Sequence, residues 1–345
     1  LHSTSRRQRQ MCIRDRIVYL LLMGELPTSS QLDVLVEALD AQRNLPDGFT
    51  ASKIMSTPSH NIMNLLQRSV LMLYADDPKA EERSFEHEIS TAISLISRLP
   101  RIMVLAHYAK RAAFYNESMI MHRFIPGQST SETILSMLRP NREFTPEEAR
   151  MLDIMMSLHA EHGGGNNSTF TCRVLSSADT DPYAAYAAAI GSLKGSKHGG
   201  ANHKVLAMQK EIKENVKNWE DEDEVASYIA KIVNKQAYDH TGLIYGMGHA
   251  VYTLSDPRAV ICKDFATRLA KGTEFEAELN LLKLIERLSP EVILQEKGTK
   301  KDMCANVDMY SGFVYSMMGI PQDMITPLFA CSRRQVGLPT VSRNW

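Results

Sequence analysis

Three side chains standing in separate turns carry the chemistry open to this sequence: His198, His249 and Asp308. With glycine-rich backbone around them and arginines able to bind carboxylates, they suit formation of a carbon–carbon bond. A carboxylate would remove a proton next to a carbonyl. One histidine would stabilise the resulting enolate and the other would polarise the electrophile.

His198 lies in GSLKGSKHGGANHK (191–204), where Gly195, Gly199 and Gly200 leave little side chain around it. A ligand could approach that backbone closely, and the turn can adopt positive φ. The segment reads as an active-site turn just before a helix through Val205, Met208 and Ile212, whose positive end would bias His198 towards neutral imidazole. A tight cap with a surface histidine is the plain alternative. The second glycine-and-histidine turn is YGMGHAVYTLSDPR (245–258), in which Gly246, Met247 and Gly248 could offer backbone groups to a ligand and His249 follows directly. Asp256-Pro257 opens a helix there, placing Arg258 in its first turn, where positive charge is unfavourable and an anionic partner is expected. EKGTKKDMCANVDMYSG (296–312) brings Lys297, Lys300 and Lys301 before Asp308, and Ser311 reads as a cap for a helix over 312–318.

The elements that must position these groups are helical nearly everywhere, with no sustained period-2 alternation to mark a sheet. Apolar stripes over 17–26, 30–41, 59–74 and 84–99 predict helix packed on helix, and Pro100 begins the next element. Thr145-Pro146-Glu147-Glu148 is a strong helix start with a capping box. That helix runs out at His162 beside Gly163-Gly164-Gly165. His159 and His162 are three apart and could share a metal, but no third ligand follows at local spacing, so a packed and a polar histidine is the favoured reading. DPYAAYAAAIGSL (181–193) is an Ala-rich helix whose small residues allow another helix close, and a later helix ends near Ser289-Pro290.

At 345 residues the chain has room for two domains and a substantial core. Its 44% hydrophobic and 23% charged content is that of a soluble globular protein. A net charge of −1 gives no reason to expect nucleic acid or membrane as partner, and a small-molecule site is expected instead. No apolar run is expected to approach the roughly 18 residues a membrane span needs, the longest candidate lying near 17–23. The five cysteines are scattered without a C-x-x-C pair, which fits a reducing compartment and a cytoplasmic location. Residues 1–16 are rich in Arg and Ser, MCIRDR looks like translated adaptor sequence, and the segment is set aside as a non-native leader.

From about residue 17 to about 333 the chain resembles citrate synthase. GSKHGGANHKV (195–205) resembles the family's first catalytic histidine motif, GMGHAVYTLSDPR (246–258) its second, and NVDMYSG (306–312) its catalytic aspartate motif. HAEHGGGNNSTFT (159–171) points to the bacterial type. The resemblance implies an all-α fold with a large helical domain, 17–199 and 320–345, and an inserted smaller helical domain, 200–319. It further implies a homodimer whose domains close over the substrates. The reaction implied is acetyl-CoA plus oxaloacetate plus water giving citrate and coenzyme A, with acetyl-CoA a co-substrate and no cofactor or metal permanently bound.

Residue by residue, Asp308 matches the base that deprotonates the acetyl methyl group, His198 the donor that stabilises the enolate, and His249 the histidine that polarises the oxaloacetate ketone. His162, Arg258 and Arg333 match oxaloacetate ligands. The turn Gly246, Met247, Gly248 would border the adenine of coenzyme A, with Lys300 and Lys301 as phosphate partners.

Ala305 replaces the proline usual before the NVD motif, and Met247 and Met309 stand where an aromatic is frequent. Segment 334–345, RQVGLPTVSRNW, bears no pattern for the arginine that the family supplies to the partner subunit's site. Within the class, 2-methylcitrate synthase uses propionyl-CoA with the same constellation. The other readings are a catalytically impaired fragment of citrate synthase and a zinc hydrolase, the latter resting on eleven histidines.

Overall fold

The computed structural model describes residues 12–160, 163, 165–196, 198–249, 252–298 and 303–333. Among these no strand occurs, and the one β-type pairing is an isolated antiparallel bridge between Met247 and Ala305. The architecture is all-α. The chain divides into two compact units, Leu1–His198 with Thr326–Trp345, and Gly199–Ile325. The sequence reading placed the corresponding boundaries at 199/200 and 319/320.

The first unit holds α1 (Ile13–Met23), α2 (Ser29–Ala41), α3 (Ile62–Leu73), α4 (Phe85–Tyr115), α5 (Thr130–Leu138), α6 (Pro146–Leu158), α7 (Asn167–Ser176) and α8 (Pro182–Leu193). Val18 and Leu22 of α1, Leu35 and Leu39 of α2, and Ala92 and Ile96 of α4 form one apolar cluster. The capping box at Thr145 is present, its hydroxyl accepting from Glu148 N while Glu148 accepts from Thr145 N. As its small residues predict, α8 is approached closely: it packs on α3 and α7, and a Cβ on Gly191 would meet the Gln67 side chain at 2.5 Å.

Two expectations change here. Pro100 does not begin an element but lies inside α4, which runs 31 residues. Proline in a helix interior loses one backbone bond and costs about 3 kcal/mol. The burial of Ile96, Leu99, Ile102, Met103 and Leu105 around it offsets that loss. α4 is also long and apolar enough, by length and composition, to cross a membrane, and 72% of its apolar window is buried inside the protein. Arg98 and Arg101 interrupt the apolar run in the sequence without lowering its mean hydropathy enough to disqualify it.

Part of the segment set aside as a leader belongs to the fold: α1 begins at Ile13, and Arg14 and Asp15 are fully buried. A remote carboxylate explains that start. Asp153 of α6 accepts the N–H groups of Ile13 at 2.8 Å and Arg14 at 3.3 Å, and the Cys12 thiol at 2.7 Å, so it serves as the cap that Cys12 cannot be.

The second unit holds α9 (Ala201–Asn215), α10 (Glu222–Val233), α11 (Pro257–Ala270), α12 (Glu276–Lys297) and α13 (Asp308–Met317). α10 packs on α12, and α13 on α9 and α11. α12 continues through Pro290, past the end expected near Ser289, with Leu288, Ser289 and Val292 buried. α13 starts at Asp308, four residues before the expected start at Gly312. Val307 is the N-cap and makes no side-chain bond, Asn306 just before it accepts the Asp308 N–H at 3.0 Å, and Ser311, expected as the cap, lies inside the helix. The chain then returns through α14 (Ile325–Arg333) to the first unit.

Candidate active site

In the first unit the turn after α8 brings His198 to the N-terminus of α7. Its Nε2 lies 3.3 Å from the Ser168 backbone N and 3.1 Å from Ser168 Oγ. Ser168 is placed by Asn166, the cap of α7, whose Oδ1 accepts from Ser168 Oγ at 2.8 Å and from Thr169 N at 3.1 Å. A peptide N–H can only donate, so Nε2 is an acceptor and the neutral ring carries its proton on Nδ1. Burial, and then the charge of Arg333, push the His198 pKa down to about 4. The ring is therefore a neutral N–H donor at neutral pH, suited to an oxygen that gains charge during reaction.

Arg333 closes α14 with its guanidinium 5.8 Å from the centre of the Phe329 ring. Phe329 stacks on the fully buried His159, ring centres 3.7 Å apart, so His159 is a packed histidine. A small cavity beside Arg333 is lined by Ser168, Thr169, Cys172, Tyr186 and Ile190. His162 lies outside the described residues.

The second unit gathers His249, Arg258 and Asp308. Asp256 caps α11 by accepting the Arg258 N–H at 3.0 Å. The same carboxylate takes Arg258 Nε at 3.0 Å and Nη2 at 2.8 Å, a two-point pair. The anionic partner expected for Arg258 is thus a buried neighbour two residues away. Burial pushes the Asp256 carboxyl up, but the Arg258 hydrogen bonds and charge more than offset this, and its pKa lies below the ordinary value.

Arg258 Nη2 also lies 3.0 Å from His249 Nε2, while the Tyr252 N–H donates to His249 Nδ1 at 3.1 Å. A neutral imidazole accepts at only one nitrogen, so the two donors compete for this ring. Burial first, then Arg258, lower the His249 pKa, against the opposing charges of Asp256 and Asp308.

The turn before His249 is tied to the segment before Asp308. Gly248 N donates to Cys304 O at 2.7 Å, Asn306 N to Gly246 O at 2.9 Å, and Asn306 Nδ2 to Gly248 O at 2.9 Å. Both glycines have positive φ, and a Cβ on Gly246 would meet the Met309 backbone at 3.1 Å. These backbone groups, expected to be offered to a ligand, serve inside the protein. Met247 N likewise bonds Ile244 O at 3.2 Å. Asp308 occupies the first position of α13, and Asn202 of α9 donates to its Oδ1 at 3.3 Å. Lys300 and Lys301 lie outside the described residues.

The structure therefore groups Arg333 with His198, and Arg258 and the turn 246–248 with His249 and Asp308. Three supporting residues carry no sequence reading, Ser168, Asn202 and Asn306, and Asp256 is read from the sequence only as a helix start. The Asp-Pro of 256–257 had marked a helix start, but its second use as Arg258's partner has no signature in a sequence. Asn306, two residues before Asp308, has the residue type of an Asx turn.

Residues 10–337 match the family model described as citrate synthase, C-terminal domain. A citrate synthase of Deinococcus radiodurans is 33% identical over 314 residues, covering 91% of this chain and 76% of the relative. The 2-methylcitrate synthase 1 of Corynebacterium glutamicum is 31% identical over 327 residues, covering 93% of this chain and 78% of its own length. Among solved structures, a ternary complex of carboxymethyl coenzyme A and oxaloacetate with citrate synthase from Thermoplasma acidophilum matches with a TM-score of 0.77 and 26% identity, over 94% of this chain and 80% of that one.

Proposed function

The chain belongs to the citrate synthase family, and from that premise we propose how its own groups carry the reaction. It is a condensing acyltransferase that joins acetyl-CoA to oxaloacetate and, with water, releases citrate and coenzyme A. Asp308 takes a proton from the acetyl methyl group. A thioester α-proton is far less acidic than a carboxylic acid, so the step needs several kcal/mol of enolate stabilisation. The Nδ1–H of His198 supplies part of it by donating to the thioester oxygen. The observation that carries this assignment is the Ser168 N–H on Nε2, which fixes the neutral tautomer.

His249 polarises the oxaloacetate ketone and gives it a proton as the new bond forms. Arg258, Arg333 and His162 bind the oxaloacetate carboxylates. A substrate carboxylate would draw the Arg258 fork away from His249 Nε2, leaving Tyr252 N–H on Nδ1 and the proton on Nε2, where it can be donated to the ketone. The turn Gly246, Met247, Gly248, with Lys300 and Lys301, borders coenzyme A. The protein works as a cytoplasmic homodimer without a permanently bound cofactor, and its substrates are small molecules rather than nucleic acid or membrane. Similarity to a 2-methylcitrate synthase supports a second reading with propionyl-CoA, because one methylene discriminates by only about 1–3 kcal/mol.

The deciding experiment is release of free thiol from acetyl-CoA with and without oxaloacetate, on this chain and on Asp308→Ala. Oxaloacetate-dependent release that disappears in the variant supports the reaction and the base together. Release that survives Asp308→Ala would sink the mechanism, and a higher kcat/KM with propionyl-CoA would favour the second reading.

A further inference from the structure

We infer that Asn202 is a positioning residue that holds the Asp308 carboxylate across the first turn of α13, a role that rests on Asp308 acting as the base. Asn202 lies in the first turn of α9 and is 1% exposed. Its Nδ2 donates to Asp308 Oδ1 at 3.3 Å and to Ser311 Oγ at 2.8 Å. Ser311 is fully buried and three residues further along the same helix as Asp308. One amide nitrogen thus spans the turn that carries the base.

Two further features show that this contact is built. So short a side chain reaches α13 only because the helices approach closely at Gly312, where a Cβ would meet the Leu206 side chain of α9 at 2.7 Å. The other end of the amide, Oδ1, is buried with no hydrogen-bond partner among the described residues. Turning the amide over would set Oδ1 against the Asp308 carboxylate, oxygen on oxygen, so the carboxylate selects the end that faces it. A buried acceptor left unsatisfied is unfavourable, and leucine, of similar shape, would avoid it. Packing alone therefore does not account for an amide at this position; a donor aimed at the base does.

Among the described residues, the titratable groups within electrostatic reach of Asp308 include His249, Cys262 of α11 and Tyr315 of α13. Burial pushes the thiol and the phenol up, so both are neutral near pH 7. Removing the Asn202 donor leaves those charges unchanged and withdraws a hydrogen bond that favours the ionised carboxyl. The Asp308 midpoint should then rise.

The test is a carboxyl-carbon titration of the full chain labelled with 13C-aspartate, the Asp308 resonance being assigned by its loss in Asp308→Asn. Asn202→Leu is expected to raise that midpoint by about 0.5–1 pH unit. The acid limb of kcat should move the same way and kcat fall about tenfold, with KM for oxaloacetate within about twofold of wild type. Asn202→Ala, which cannot overpack and favours the helix, carries the same test if leucine disturbs the circular dichroism melt. An unchanged Asp308 midpoint in a folded variant, or a KM that rises as much as kcat falls, overturns the proposal. The titration needs no turnover, so a wild-type chain inactive on acetyl-CoA would count against the citrate synthase reading while the titration still decides on Asn202.

Discussion

His198 is held neutral by two effects of one sign, burial and the Arg333 charge, and its pKa near 4 lies below the unfolded value of about 6.5. The unfolded chain binds the proton first, so this residue's contribution to stability is present above about pH 6.5 and is lost as pH falls towards 4. Allowing for its partial exposure, wild type should lose about 1 kcal/mol more than His198→Gln between pH 7 and pH 5 in urea unfolding. Equal losses would show that the ring titrates normally. The identity of His198 as a chemical group was legible, because a histidine among Gly195, Gly199 and Gly200 is an arrangement of residue types. The group that sets its tautomer was not: the donor is a peptide N–H, identical for every residue but proline, and only the fold aims the one at Ser168.

Among the elements, one cap was legible, another was misplaced, and the interruptions at proline misled. Thr145 starts α6 as its residue type requires, accepting an N–H in the first turn, whereas Ser311, expected as a cap, lies inside α13. Pro100 and Pro290 misled, because burial around them outweighs a propensity that the chain shows locally. At α11 a single carboxylate caps the helix and holds Arg258. Asp256→Asn keeps a capping oxygen but removes the charge, so the cap's share of stability should survive while the buried pair is lost. We expect a destabilisation of about 2–3 kcal/mol by chemical denaturation and a rise of about tenfold in KM for oxaloacetate, since Arg258 then lacks the group that orients it. A KM equal to wild type would mean that Asp256 serves the helix alone.

For the molecule as a whole, near-zero net charge and five scattered cysteines gave no hint of the reaction, whereas the order of three motifs along the chain did. The zinc hydrolase reading has a direct check. Thiol release in exhaustively dialysed, EDTA-treated enzyme should match that of untreated enzyme within error, and a loss restored by zinc would revive the alternative. Secondary structure could not divide the chain, because both units are helical. The division follows from which helices bury one another, a property of pairs rather than of segments.

The ties among Gly246, Gly248, Cys304 and Asn306 join stretches more than fifty residues apart into one piece of backbone. The loop bearing His249 and the start of α13 should therefore open to solvent together, as one cooperative patch. In native-state hydrogen exchange the Gly248 and Asn306 amides should share one opening free energy, and Asn306→Ala should speed both. The spacing between the His249 turn and the start of α13 is then set mostly by main-chain bonds, with the Asn306 side chain as the one side-chain tie among these.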